Sequence, residues 1–385
     1  KKFEMLDTIL ENGIFLLNTS KSKEEILNYM SDYDKEIIRK RNIKFYMLNA
    51  NKVAQEVGLP NKINTIMATV IFKIGNLIDY DVAVAEIRKS LETMFANKGQ
   101  EVIDKNNACV DRALETLVLV NEDEIVDNGN KGVEANTIFE LINARKGNDL
   151  SVSQLSGYVD GTFEGGLSKL EKRGISEMVP VYTSENCLMC NQCSLVCPHA
   201  AIRPFLLTEE EANNAPEEIK NSLKDANIPG QNLKYTIGVS VKDCTGCGLC
   251  ANTCIGKAAN KALQMKSVQD LDIDKEQANA DYLINKVTEK HVMNKFTVKG
   301  SQFEHSKIEF SGACQGCGET PYLKLMTQLF GDEVVISNAT GCSSIYGGSI
   351  PGTSYSIPWA NSLFEDNAEF GFGISIADKF NKEKI

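Results

Sequence analysis

The sequence predicts a multidomain α/β protein with a small cysteine-rich α+β domain near its middle. Three observations support this class. Short apolar runs alternate with helical patterns towards both ends of the chain, and eight of the twelve cysteines fall between residues 187 and 254. The length of 385 residues is enough for two or three packed domains. We divide the chain into four segments, 1–125, 126–168, 169–290 and 291–385.

Composition and charge exclude several classes of protein. Hydrophobic residues make up 42% and charged residues 24%, as in globular proteins. The net charge of −11 disfavours nucleic-acid or anionic-membrane partners, and no run of about 20 apolar residues predicts a membrane span. Grouped cysteines without an export signal favour metal ligation in a reducing cytoplasm over disulfides. The chain begins at Lys1 without a methionine, and we expect both ends to be cut from something longer.

Segment 1–125 has the pattern of an α/β domain. Apolar runs at 13–17 and 43–48 predict strands, and Ser22 can cap a helical pattern that runs from Ile26 to Ile38. Further helical patterns follow at 51–57, 65–78, 80–96 and 107–120. This alternation predicts a parallel or mixed sheet covered by helices. Cys109 is predicted to be a buried core thiol.

The two connecting regions carry weaker patterns. Segment 126–168 is rich in Asn, Gly and Ser and is predicted to be a small linker domain, in which Ser151 and Gln154 form a capping pair. Residues 209–224, within the cysteine-rich segment, are charged and helical in pattern and are predicted to be a solvated face.

The α/β pattern returns in segment 291–385. Thr320 is predicted to be a helix N-cap, followed by Pro321 in the first turn, a helix over 322–330 and a stop at Gly331. Residues 333–339 are then predicted to be a strand.

Two cysteine motifs of equal spacing carry the strongest chemical signal. They read Cys187-Leu-Met-Cys190-Asn-Gln-Cys193-Ser-Leu-Val-Cys197-Pro198 and Cys244-Thr-Gly-Cys247-Gly-Leu-Cys250-Ala-Asn-Thr-Cys254. This is the spacing of bacterial ferredoxins, in which three thiolates bind one [4Fe–4S] cluster and the fourth binds the other. Cluster A is therefore predicted to take Cys187, Cys190, Cys193 and Cys254, and cluster B Cys244, Cys247, Cys250 and Cys197. A zinc site is complete with four ligands, usually two Cys-x-x-Cys pairs. Zinc would therefore give no role to the fourth cysteine of each motif, which is predicted here to bind the cluster of the other motif.

One position departs from the usual ferredoxin pattern. Ile255 stands where proline commonly follows the last cysteine. Since proline is not a ligand there, the departure concerns local packing and reduction potential, and the predicted ligation is unchanged.

A third cysteine group lies near the end of the chain. Cys314 and Cys317 form a Cys-x-x-Cys pair, and Cys342 follows the predicted strand at 333–339, at the strand end where α/β proteins place ligands. Three thiolates are one short of a cluster, so the spacing leaves an iron–sulfur site, a partial zinc site and free thiols all open. The histidines His199, His291 and His305 form no pair at helical ligand spacing and are predicted to be structural or solvated.

Three stretches resemble the pyruvate:ferredoxin (flavodoxin) oxidoreductases, a family of multidomain 2-oxoacid oxidoreductases. They are CLMCNQCSLVCPHAAIRP at 187–204, GACQGCGETPY at 312–322 and ATGCSSIYGGSIPGTSYSIPWANSLFEDNAEFGF at 339–372. Segment 1–125, including NIKFY at 42–46, is similar to the family's γ-type domain. The resemblance extends over essentially the whole chain. It implies a γ-type domain, a linker, a two-cluster ferredoxin-like domain and the start of a thiamine-diphosphate-binding α/β domain.

The resemblance also implies an activity. Family members decarboxylate pyruvate oxidatively with coenzyme A to acetyl-CoA and CO2, using thiamine diphosphate with Mg2+, and pass the electrons through [4Fe–4S] clusters to ferredoxin or flavodoxin. They act as homodimers. By this resemblance Cys314, Cys317 and Cys342 bind the cluster nearest thiamine, and Glu319 and Cys342 face the thiamine. The fourth ligand and the magnesium motif are expected beyond Ile385, and the pyrimidine-binding domain before Lys1. This chain alone is therefore not expected to complete the catalysis.

Two alternatives stay open. The chain could be a stand-alone iron–sulfur electron-transfer module without catalysis, or part of a family member that acts on another 2-oxoacid. Flanking sequence that encodes the thiamine and pyrimidine domains would argue against the module.

Overall fold

A computed structural model describes residues 5–60, 62–131, 137–348 and 352–383. The chain divides into two compact units, Lys1–Leu155 and Ser156–Ile385. Lys1, Ile385 and residues 349–351 of the last family-like stretch lie outside the described residues. Within the described residues, no helix combines the length and apolar character needed to cross a bilayer.

The first unit contains a mixed three-stranded sheet with helices. Its strands are β1 (Ile14–Asn18), β2 (Lys44–Leu48) and β3 (Val118–Val120), and its helices are α1 (Lys23–Tyr29), α2 (Asp32–Lys40), α3 (Ala50–Glu56), α4 (Asn64–Gly75), α5 (Tyr80–Phe95), α6 (Gln100–Arg112) and α7 (Ile138–Asn143). β1 and β2 pair in parallel, and β3 pairs antiparallel with β2. The mixed α/β class predicted from the sequence is confirmed.

Local caps explain where the first helices begin. Ser22 forms a capping box with Glu25, as its position in the sequence suggests. The helical pattern from Ile26 to Ile38 is interrupted, however, because the Ser31 hydroxyl accepts a hydrogen bond from the Asp34 amide and starts a second helix. Two helices, α1 and α2, therefore replace the single predicted helical segment.

The predicted helix over 107–120 is wrong in its last part. Helix α6 ends at Arg112, and Val118–Val120 forms β3 along the edge of β2. Leu119 lies opposite Tyr46 there, so pairing with the sheet overrides the helical spacing of the apolar residues.

The first unit has two neighbouring hydrophobic clusters. One surrounds the fully buried Phe45, whose ring stacks on Phe15 at a centroid distance of 5.1 Å. The other contains Leu48, Val53 and Cys109, and Cys109 is completely buried as predicted.

The second unit contains three small sheets and several short helices. Its strands are β4 (Met178–Tyr182), β5 (Ile202–Leu207), β6 (Lys224–Asp225), β7 (Lys234–Val239), β8 (Leu263–Ser267), β9 (Ile336–Ala339) and β10 (Trp359–Ser362). Its helices are α8 (Gln192–Leu195), α9 (Glu209–Asn213), α10 (Glu217–Ser222), α11 (Leu249–Thr253), α12 (Ile273–Lys286), α13 (Val298–Ser301), α14 (Thr320–Phe330), α15 (Cys342–Gly347) and α16 (Asn367–Lys382). Strands β9 and β10 pair in parallel.

Two antiparallel sheets frame the cysteine motifs. β4 pairs with β8, and β5 pairs with β7, which also holds β6. The first motif connects β4 to β5, and the second connects β7 to β8. Since each motif leads from one sheet to the other and the strands pair antiparallel, the two motifs run side by side in opposite directions.

Two sequence predictions in this unit need correction. The charged insertion over 209–224 is not merely a solvated face, because Ala212 and Ile219 are buried against Leu207 and Leu283. Thr320 is not the N-cap of the helix over 322–330. Glu319 is the N-cap, without a side-chain cap bond, and Thr320 is the first helical residue and is fully buried.

Candidate metal centre

Both cysteine motifs contain the same backbone turn. The residue before the second cysteine has a positive φ in each motif, 55° at Met189 and 72° at Gly246. The residue after that cysteine repeats the feature, with 61° at Asn191 and 75° at Gly248. Helices α8 and α11 begin immediately afterwards, so the third cysteine of each motif lies in a helical turn. The equal spacing in sequence therefore corresponds to an equal conformation.

Backbone amides point at several of the sulfur atoms. The Met189 amide donates to the Cys187 Sγ at 3.3 Å, and the Gly246 amide donates to the Cys244 Sγ at 3.4 Å. The Ala262 amide donates to the Cys254 Sγ at 3.3 Å. Such donors favour the thiolate over the thiol and tune a metal bound to it.

The eight cysteines line two separate cavities. Cavity A is lined by Cys187, Cys190, Cys193 and Cys254. Cavity B is lined by Cys197, Cys244, Cys247 and Cys250. Each cavity thus takes three cysteines from one motif and the last cysteine of the other motif.

The antiparallel course of the two motifs produces this exchange. Hydrogen bonds join the start of the first motif to the end of the second, from the Lys257 amide to the Asn186 carbonyl at 2.9 Å and from the Thr183 amide to the Ala262 carbonyl at 2.8 Å. At the other end, the Ser240 amide donates to the Ala201 carbonyl at 2.7 Å. Cys254 is thereby brought to the first motif and Cys197 to the second.

Burial raises the pKa of several of these thiols, and none of them is in a disulfide. All twelve cysteines of the chain are free thiols. Burial raises the pKa of Cys193 and of Cys244 to about 12, and it also raises the pKa of Cys247 and Cys250. Four convergent sulfurs with amide donors are the ligand set of an iron–sulfur cluster, so the residues present fit such a group.

The third cysteine group is more open. Gly316 has a φ of 73°, in the same position before a cysteine as Met189 and Gly246, and the Glu319 amide donates to the Cys317 Sγ at 3.4 Å. Cys314 is exposed and Cys317 is half-buried. The loop contacts the second motif, since the Gln315 side-chain amide donates to the Thr245 carbonyl at 2.6 Å.

Cys342 and Glu319 lie at helix starts. Cys342 is exposed at the first position of α15, and Glu319 is exposed just before α14. Tyr346, one turn beyond Cys342, lies close to Glu319 and Cys317, and burial together with these neighbours raises its pKa. Helix α15 therefore packs near the Cys314–Cys317 loop, although among the described residues no cavity is lined by all three cysteines as cavities A and B are by four each.

Comparison with protein families gives three matches. Residues 1–116 match the family Pyruvate ferredoxin/flavodoxin oxidoreductase, residues 135–176 match a domain of unknown function, and residues 179–255 match a 4Fe-4S dicluster domain.

Curated relatives match over nearly the whole chain. The pyruvate:ferredoxin oxidoreductase of Moorella thermoacetica is 45% identical over 98% of this chain and 33% of its own length. The pyruvate-flavodoxin oxidoreductase of Enterobacter agglomerans is 42% identical over 97% of this chain and 32% of its own length. This chain belongs to the pyruvate ferredoxin/flavodoxin oxidoreductase family. It spans about a third of the length of these two relatives.

The family also includes a relative named for a different electron acceptor. The pyruvate dehydrogenase [NADP(+)] of Cryptosporidium parvum is 37% identical over 100% of this chain and 22% of its own length. The match of residues 179–255 to a 4Fe-4S dicluster domain, together with the clustered cysteines, supports iron–sulfur clusters as cofactors of this chain.

Two buried residues beside the cysteines were not marked as functional by the sequence. His199 is buried, with its Nε2 2.9 Å from the Ala313 carbonyl and its Nδ1 3.4 Å from the Thr245 hydroxyl, and burial lowers its pKa. Lys324 is buried in α14 with its ammonium against the first motif. A lysine in an amphipathic helix usually faces solvent, so its burial had no signal in the sequence.

A further cluster of possible metal ligands lies apart from the cysteines. Glu289, His291 and Glu304 place their ligand atoms within 4.8 Å of one another. The His291 Nδ1 is 2.8 Å from a Glu304 carboxylate oxygen, and His305 approaches Glu289 at 3.5 Å. These contacts join the acids and the histidines in one polar network.

Proposed function

We propose that this chain holds two [4Fe–4S] clusters, in cavities A and B, within an enzyme that oxidises pyruvate. The observation that carries the proposal is the arrangement of eight cysteines, none of them in a disulfide, as two sets of four, each with one cysteine exchanged between motifs. The names of the curated relatives support the assignment to pyruvate and to ferredoxin or flavodoxin as electron carriers.

The proposed overall reaction balances with one-electron carriers. Pyruvate, coenzyme A and two oxidised carriers give acetyl-CoA, CO2, one proton and two reduced carriers. The carbon–carbon bond to the carboxylate breaks, a thioester bond forms, and two electrons leave singly. When bound, iron–sulfur clusters supply this one-electron chemistry. The chain's own contribution is to hold them with thiolates, to direct amides at the sulfur atoms and to exclude water.

A contact between two of the cysteine groups and the exposure of another support a spatial order for the three groups. Gly316 of the third group lies against Cys247 of cavity B, where a Cβ on the glycine would be 3.6 Å from the cysteine Cβ. In cavity A, Cys190 is exposed, and Leu188 and Ile255 beside it are also exposed. We therefore propose that the cavity B ligands lie next to the third group and that the cavity A rim faces the carrier protein.

The thiamine side of the reaction is proposed from the family resemblance. Cys314, Cys317 and Cys342 would ligate a third cluster, and Glu319 and Cys342 would face thiamine diphosphate, which is held with Mg2+ by further segments of the whole enzyme. The fold assignments to a γ-type domain, a ferredoxin-like domain and the start of a thiamine-binding domain belong to the same proposal, as do a cytoplasmic location and a homodimeric enzyme.

Metal analysis tests the proposal. The chain would be purified without oxygen, and iron, acid-labile sulfide and zinc would be counted per polypeptide. Two clusters give about 8 iron and about 8 sulfide, and a third cluster at Cys314, Cys317 and Cys342 raises both to about 12. Two zinc ions without sulfide would overturn the assignment and make both cavities structural zinc sites.

A further inference from the structure

A buried lysine ammonium, with no acidic partner among the described residues, lies against the backbone that joins the two ligand sets. Lys324 is only 2% exposed, although it lies in the middle of α14. No carboxylate of the described residues lies within salt-bridge distance of its Nζ. Instead, the Nζ donates to the carbonyl of Ser194, to that of Leu195 at 3.2 Å and to that of Cys197 at 3.1 Å. A buried charge is tolerated only where such donors and acceptors are arranged for it.

The three carbonyls belong to the segment that joins the two ligand sets. They lie at and just beyond the end of α8, where the carbonyls of a helix carry partial negative charge. This segment contributes Cys193 to cavity A and Cys197 to cavity B. The ammonium therefore contacts the backbone that carries one ligand of each set, directly at the Cys197 carbonyl and at the Ser194 carbonyl next to Cys193.

A second, uncharged contact links α14 to the same segment. Gln328, one turn beyond Lys324, accepts a hydrogen bond from the Gln302 side-chain amide at 3.1 Å. The Ser194 hydroxyl in turn donates to the Gln302 side-chain oxygen at 2.9 Å. Because this second link holds α8 against α14 without any charge, Lys324 is not the sole contact that docks the two helices.

We propose that Lys324 is a positioning residue whose buried positive charge raises the reduction potentials of the groups held in cavities A and B. The inference rests on the proposed cluster-binding function. Reduction adds one electron to a cluster, with no bond or proton exchanged, and so adds one negative charge. A fixed cation in a medium of low dielectric constant stabilises the reduced form more than the oxidised form.

The test is a redox titration of the full chain, purified without oxygen and followed by electron paramagnetic resonance of the reduced clusters. Lys324→Gln removes the charge but keeps an amide donor, and Lys324→Arg keeps the charge. Lys286→Gln is the matched control, since Lys286 is exposed at the end of α12 and water screens its charge.

At the potential where the parent chain is half-reduced, we expect Lys324→Gln to lower the ratio of reduced to oxidised cluster about tenfold, which equals about 59 mV for one electron. Lys324→Arg and the control should stay within about twofold.

The possible outcomes distinguish a failure of this inference from a failure of the proposed cluster-binding function on which it rests. A parent chain without iron and sulfide would contradict the proposed function itself. A Lys324→Gln chain with full iron and an unchanged potential would overturn only the role of the charge. If Lys324→Gln assembles no clusters, Lys324→Met is titrated in its place. Failure of both neutral variants, with normal assembly in Lys324→Arg, would assign Lys324 to folding and would also overturn the proposal.

Discussion

The residue before the second cysteine has the same left-handed conformation in both motifs but different surroundings. At Met189 the side chain packs against the hydrophobic core, so the backbone strain of about 1 kcal/mol is accepted. At Gly246 there is no space for a side chain, because a Cβ would clash with the Ser176 hydroxyl and lie 2.9 Å from the Met178 carbonyl. Position 246 therefore requires glycine for two reasons, the lack of space for a Cβ and the positive φ of its backbone.

Gly246→Ala tests the effect of this close approach on cavity B. The added methyl group should displace the turn that carries Cys244 and Cys247, and we expect iron to fall from about 8 to about 4 atoms per chain. Gly230→Ala is the control, because Gly230 also has a positive φ, of 75°, but a Cβ there would meet no atom within 4 Å. The control should keep about 8 iron atoms. A Gly246→Ala chain that also keeps 8 would refute the steric argument.

Among the elements, α9 is held to the segment after α12 by a partly buried ion pair. The Glu211 carboxylate accepts hydrogen bonds from the Lys290 ammonium at 2.5 and 2.7 Å and from the Thr288 amide at 2.8 Å. Burial disfavours the charged carboxylate, but these hydrogen bonds outweigh it and lower the pKa of Glu211 from 4.5 to about 2. The same carboxylate closes the capping box of α9 with Thr208.

Glu211→Gln should destabilise the fold by about 2 kcal/mol, the contribution of a hydrogen bond to a charged group, because the Lys290 ammonium loses its carboxylate partner. Since the folded-state pKa is lowered, the stabilisation is present above the ordinary pKa and is lost only as pH falls towards 2. The difference in the urea midpoint between Glu211→Gln and the parent chain should therefore be equal at pH 6 and pH 8. Glu218→Gln, which breaks the more exposed pair with Lys275, should lower the urea midpoint clearly less than Glu211→Gln does, because water screens that pair. Equal losses in the two variants would contradict this ranking.

Sequence patterns predicted most elements but few of their contacts. Capping residues and apolar spacing located α1 at Ser22 and α14 before Gly331, because these signals act within one or two turns. The end of α6 and the strand β3 were missed, since β3 depends on pairing with a strand about 70 residues away. Likewise, the burial of Lys324 depends on carbonyls about 130 residues earlier in the chain, which no local pattern encodes.

At the scale of the whole molecule, each unit has its own hydrophobic core, and the cysteine chemistry lies entirely in the second unit. The grouping of eight cysteines into two sets of four could be predicted, because equal spacing in two motifs implies an internal repeat and the strands that flank the motifs pair antiparallel. That these sets are cluster ligands stays a prediction. The arrangement of Cys314, Cys317 and Cys342 could not be predicted from spacing, because it depends on the packing of α15 near the Cys314–Cys317 loop.

The crossed arrangement of the ligands is the central claim, and iron analysis of two double variants tests it most directly. Cys187→Ala with Cys254→Ala removes two ligands from cavity A alone, whereas Cys187→Ala with Cys197→Ala removes one ligand from each cavity. We predict about 4 iron atoms per chain for the first double variant and close to none for the second. If each motif bound its own cluster, the first variant would lose nearly all iron and the second would keep about 4, and that reversal would contradict the account.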